Sequence, residues 1–144
     1  MATVSPQLGI SQTIVIPQSE ILTLNTVPAV ICPAEPGYIN VFERAVLVYS
    51  YRNSIFSNVN NILSFYIVPS VGSPILVSNS LNGQNILGID QNTNSTFIPA
   101  NPYTSLMSES ANSPIVLKIA GSNPTGGDPL STLAVVITYN IFEL

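Results

Sequence analysis

Residues 113–144 read SPIVLKIAGSNPTGGDPLSTLAVVITYNIFEL, and the fold class follows from them. Two runs of alternating and β-branched residues flank a segment rich in Gly, Pro, Asn and Asp, the pattern of a strand, a long turn and a second strand. In the first run Ile115, Leu117 and Ile119 fall on one face and Val116, Lys118 and Ala120 on the other. In the second, Leu133, Val135, Ile137, Tyr139 and Ile141 share a face opposite Ala134, Val136, Thr138 and Asn140, because successive side chains of a strand point to opposite sides.

The same vocabulary recurs upstream. Thr13 to Ile16, Glu20 to Leu24 and Ala29 to Cys32 are short strand candidates bounded by Pro17, Pro28 and Pro33, and proline, lacking an N–H, marks strand ends and edges. The longest signal runs from Tyr38 to Arg52. Strict alternation puts Phe42, Arg44, Val46 and Val48 on one face and Glu43, Ala45, Leu47 and Tyr49 on the other. Both faces are largely apolar, as expected of a strand covered on two sides. Glu43 and Arg44 then point apart, unless a bulge intervenes. Ile62 to Val68 alternates Leu63, Phe65 and Ile67 against Ile62, Ser64, Tyr66 and Val68. Weaker strands are expected at Ile75 to Val77 and Ile86 to Ile89, with Asn82-Gly83 as a hairpin signal between them. Residues 91–112 read as a surface loop with one short strand at Thr96 to Ile98. Nowhere does an apolar pattern hold helical spacing for ten residues. About nine short strands with frequent turn signals predict an all-β chain, a single antiparallel β-sandwich of jelly-roll-like or immunoglobulin-like type.

A length of 144 residues suits one domain. Residues 13–144 are assigned to the sandwich. Residues 1–12, polar or small apart from Val4, Leu8 and Ile10, are expected to form an extended N-terminal arm or a frayed end.

Charged residues make up 7% of the chain, against about 25% in ordinary soluble domains. So few charges give little self-repulsion, so the composition predicts that much of the surface is covered by further copies or a partner; a coat of Ser, Thr, Asn and Gln on a monomer is the alternative. Net charge is −4 with three cations, Arg44, Arg52 and Lys118, too few to neutralise a run of phosphates, so nucleic-acid binding is not expected. No apolar stretch reaches the ~18 residues of a membrane span, and the start does not read as a signal peptide, so synthesis in a cytoplasm is expected, with no membrane partner.

Chemistry-bearing motifs are sparse. Seven carboxylates are scattered without a short paired motif, and no enzyme activity and no cofactor are expected. A single cysteine excludes an internal disulfide, and without histidine the usual Cys/His metal sets cannot assemble. Asp90, Asn92 and Asn94 imitate the start of a calcium loop, but Ser95 stands where its glycine belongs and Asn101 where its bidentate Glu belongs. The glycines of residues 121–128 lack the Lys-Ser/Thr ending of a phosphate loop and read as turn formers. Cys32, between Ile31 and Pro33, reads as a small buried apolar residue, since no histidine is present to activate it.

One resemblance adds to this reading. Ile21-Leu22-Thr23-Leu24-Asn25-Thr26-Val27-Pro28, Ser113-Pro114-Ile115-Val116-Leu117, Asn123-Pro124-Thr125-Gly126-Gly127-Asp128 and Ala134-Val135-Val136-Ile137-Thr138-Tyr139 together resemble small β-sandwich virion proteins of tailed bacteriophages. The resemblance implies a capsid cement or decoration protein on the exterior of the phage head. It would clamp neighbouring subunits of the major capsid protein, as a homo-oligomer, dimer or trimer, matched to local symmetry axes. Val4, Leu8 and Ile10 of the arm are then candidate partner contacts, adding a strand to a neighbour's sheet. The alternative is a tail or fibre module that binds a receptor or carbohydrate, with Tyr103 in Asn101-Pro102-Tyr103-Thr104 as the first candidate contact. A tyrosine packing that loop onto the sandwich explains the same residue.

Overall fold

The computed structural model describes residues 7–70, 72–100 and 112–143. In chain order the elements are β1 (Gln7–Pro17), the single helical turn α1 (Gln18–Ile21), β2 (Ala29–Cys32), β3 (Tyr38–Ser50), β4 (Phe56–Ser57), β5 (Ile62–Ile67), β6 (Ile75–Leu76) and β7 (Leu81–Asn82). A 3-10 turn at Gly83–Asn85 follows, then β8 (Thr93–Phe97), β9 (Ile115–Ile119), β10 (Thr125–Gly126) and β11 (Thr132–Glu143). One sheet has the order β1-β11-β3-β8, the other β2-β9-β5-β6 with β7 also on β5, and β10 pairs with β4 in a small ribbon. All pairs are antiparallel. The two large sheets pack face to face as a β-sandwich.

The stretch 113–144 splits between the layers: β9 lies at the centre of one sheet and β11 at the centre of the other. Alternation decides which residues enter the core. Leu133, Val135, Ile137 and Tyr139 of β11 are buried from one side, and Ile115, Leu117 and Ile119 of β9 from the other. Phe65 of β5 joins the layers, its ring 5.3 Å from that of Phe42 on β3 and 5.2 Å from that of Phe97 on β8, the latter nearly edge-on. Such tilted aromatic pairs add attraction beyond the area they bury.

β3 departs from strict alternation at one point. Thr138 faces Arg44 but Tyr139 faces Phe42, so Glu43 has no residue opposite it. This bulge shifts the phase of the strand: Phe42 and then Ala45, Leu47 and Tyr49 are buried, whereas Val46 and Val48 turn outward and are half-exposed. The expectation of two covered faces is corrected accordingly, because the extra residue reassigns which half of each face points inward.

Three local expectations also change. Residues 20–24 form α1 and the turns after it, with Leu22 N–H donating to Gln18 O at 3.0 Å. Residues 86–89 are turns rather than a strand, although Ile86 and Leu87 are buried. Here Gly83 sits where an added Cβ would lie 2.7 Å from Val59 O, and Asn82 Oδ1 accepts Gln84 N–H at 2.9 Å, so the chain coils at Asn-Gly instead of turning a tight hairpin. Of the twelve residues expected as an arm, those from Gln7 to Gln12 begin β1, paired with Ile141, Tyr139, Thr138 and Ile137 of β11. Residues 1–6 lie outside the described residues.

Tyr49 is fully buried, and its hydroxyl has no hydrogen-bond partner among the described residues. Burial pushes the phenol's pKa up, with the Ser131 side chain opposing; the Ser131 hydroxyl accepts Arg52 N–H at 3.1 Å. An unmet buried donor costs folding free energy. Tyr49→Phe is expected to raise the unfolding free energy by about 1 kcal/mol, seen as a higher urea midpoint with unchanged slope. A clear loss of stability would show instead that the hydroxyl is bonded.

Candidate functional site: an uncharged outer sheet face

The outer side of the β1-β11-β3-β8 sheet is a regular surface spanning four strands. Its side chains fall into rows fixed by register. Thr13, Val136, Val46 and Thr96 make one row across four strands, and Val15, Ala134, Val48 and Asn94 make the next. A third begins Ser11, Thr138, Arg44, with the Ser11 and Thr138 hydroxyls 3.2 Å apart. Val and Thr suit these positions because a branched Cβ packs well against cross-strand neighbours on a pleated surface. Within the two four-strand rows there is no ionisable side chain, and Val15 and Val136 are 57% and 37% exposed. Aliphatic surface laid out flat and uncharged loses little on desolvation when a partner covers it.

One end of this face is shaped by two irregularities at the same level. In β1 the register with β11 shifts between Gln7 and Ile10, where Gly9 takes a φ of +63° that only glycine adopts freely. Across β11, the Glu43 bulge lies in β3. Asn140 links them, its Oδ1 accepting Gly9 N–H at 2.8 Å and its Nδ2 donating to Glu43 Oε1 at 2.6 Å. The result is a shallow groove of about 400 Å³ lined by Leu8, Gly9, Glu43, Arg44, Thr138 and Asn140. A carboxylate and a guanidinium thus stand side by side at the margin of an uncharged plane.

Of the candidate contacts read from sequence, Leu8 lies on this groove and is 68% exposed. Ile10 turns the other way and packs, partly buried, against the core. Val4 and Tyr103 lie outside the described residues. Sequence reasoning missed Thr138, Asn140 and the valine rows, because register between distant strands is not written locally. Only the adjacent Glu43 and Arg44, set in an otherwise uncharged strand, signalled the bulge. No group of three or more His, Cys, Asp or Glu placed to hold a metal ion occurs among the described residues, and none of their helices is long and apolar enough to cross a membrane. Set against known protein families, curated proteins and solved structures, the chain matches none of them.

Proposed function

We propose that the protein is a structural virion component, a capsid cement or decoration protein that lays the outer face of its four-stranded sheet on the exterior of a phage head and stabilises contacts between major capsid subunits. The observation that carries this reading is the pair of uncharged rows, Thr13-Val136-Val46-Thr96 and Val15-Ala134-Val48-Asn94. That the surface is a phage head rests on the resemblance to small phage virion proteins. A shell under internal pressure needs contacts that persist, and apolar contact is far less sensitive to salt than exposed ion pairs are. Glu43 and Arg44 at the groove give the plane a direction.

The test is co-sedimentation with heads assembled without this chain. Wild-type protein is expected to pellet with the heads, with affinity varying less than about threefold between roughly 0.1 and 1 M salt. Val136→Glu, a change at a solvent-facing position, is expected to weaken binding at least about tenfold while leaving the circular dichroism spectrum unchanged. Failure of the wild type to pellet, or binding indifferent to Val136→Glu, would sink the reading. Retention on host cells, released by free sugar, would favour the receptor-binding alternative.

A further inference from the structure

We infer that two copies of this chain join edge to edge through β1, continuing the four-stranded sheet into one of eight strands across a two-fold axis. β1 ends its sheet and pairs only with β11 among the described residues. Edge strands of soluble proteins are ordinarily guarded by lysine, by proline, by a bulge or by a covering segment, because their unpaired N–H and C=O groups recruit other strands. Among the described residues, β1 has none of these over its central part. From Gln7 to Pro17 there is no ionisable side chain. The Gly9 irregularity and Pro17 stand at the two ends, leaving Ile10 to Ile16 in unbroken register with β11.

The surroundings fit a strand. α1 and residues 22–28 carry the chain from β1 to β2, which ends the other sheet, and a groove of about 310 Å³ is lined from both, by Ile14 and Ile16 of β1 and by Val27 and Val30, with Glu20 and Thr23 as polar rim. Val27 and Val30 are 65% and 53% exposed. Apolar side chains of β1 and of the chain leading into β2 thus line one groove between the two edge strands, with a polar rim.

A second copy is the occupant that matches best, since the segment can pair with its own reverse without meeting a charge or a proline. Antiparallel pairing centred on Thr13 sets Ile10 beside the partner's Ile16 and Gln12 beside the partner's Ile14 on the core side. Ser11 then meets the partner's Val15 on the outer side. Inward residues stay inward, as a period of two requires, and no like charges meet along the strand. Seven residues at ~3.4 Å, across two sheets ~10 Å apart with their side chains, give a side of roughly 24 by 20 Å, or about 1,000 Å² over both copies. That reaches the lower bound for a specific interface. A two-fold contact of this kind closes on itself and leaves no edge for further growth through β1. The inference does not depend on what the outer face docks against.

Mass in solution tests it. By sedimentation or light scattering at about 50 μM, the wild type is expected at twice the 15.3 kDa of one chain. The double substitution Thr13→Lys with Val15→Lys changes two exposed side chains; it is expected to raise the dimer dissociation constant more than about tenfold and to return the mass to one chain. Independently, Thr13→Cys should form an intermolecular disulfide within minutes under a mild oxidant, whereas the wild type should not, because Cys32 is buried. A wild-type monomer at that concentration overturns the inference. So does an oligomer whose mass the lysines leave unchanged and in which the engineered cysteines do not join.

Discussion

Replacing Phe65 by alanine is expected to lower the unfolding free energy by about 4 kcal/mol, enough to remove much of the ~5–15 kcal/mol by which domains are stable. The ring is fully buried and lies against Phe42 and Phe97 of the facing sheet. Truncation therefore forfeits burial, leaves a void between two layers and breaks two ring contacts at once. Strands hydrogen-bonded to neighbours on both sides cannot collapse easily into such a void, which places the cost toward the upper part of the usual range. Urea unfolding is the measurement, with the midpoint falling and the slope unchanged if only stability is affected. Ile62→Ala in the same strand is the control, since Ile62 is half-exposed and should cost less than about 1 kcal/mol. Equal losses at the two positions would contradict the packing described.

Alkaline solution is expected to destabilise the protein from about pH 9 upward, with Cys32 alone contributing up to roughly 4 kcal/mol by pH 12. Cys32 is fully buried, and burial pushes its thiol from an ordinary 9.0 up to about 12. The direction follows from proton counts. Between those two values the unfolded chain has released the thiol proton and the folded chain retains it. The folded state then binds more protons, and stability falls as pH rises. Below pH 9 both states hold the proton and the contribution is complete. Burial likewise pushes the phenols of Tyr49 and Tyr139 upward, with Cys32 and Glu35 adding to the effect on Tyr139, so they steepen the loss above pH 10. Unfolding free energies at unit steps from pH 8 to pH 11 would show the slope. Cys32→Ala is expected to flatten it between pH 9 and 10, where the thiol acts almost alone. A wild type equally stable at pH 8 and pH 11 would refute the assignment.

The strands that could be read from sequence are those whose burial is decided by their own alternation. β5, β9 and β11 each place one apolar set inward, and Leu63, Phe65, Ile67, Ile115, Leu117, Ile119, Leu133, Val135 and Ile137 lie where period two puts them. β3 was legible as a strand but not in its orientation, since apolar residues occupy both of its faces and a single extra residue decides which half of each is hidden. Residues 86–89 carry a strand's composition, yet the seat of buried Gly83 against Val59 turns the chain before a ladder forms. Of the contacts expected from sequence that lie among the described residues, Leu8 is the one that falls on the groove. Thr13, Val46, Thr96 and Val136 become neighbours through pairing of strands far apart in the chain, and no local pattern encodes that meeting.

Tolerance of insertions and deletions is ordinarily a property of loops. In β3 it is governed by a residue in mid-strand. Glu43 works as a half-step in a two-beat rhythm, and its carboxylate is tied to Asn140 on the adjoining strand. Without that half-step, everything from Arg44 to Ser50 would exchange its oily and wet sides, so the length of this segment is fixed more tightly than the identity of the residues within it.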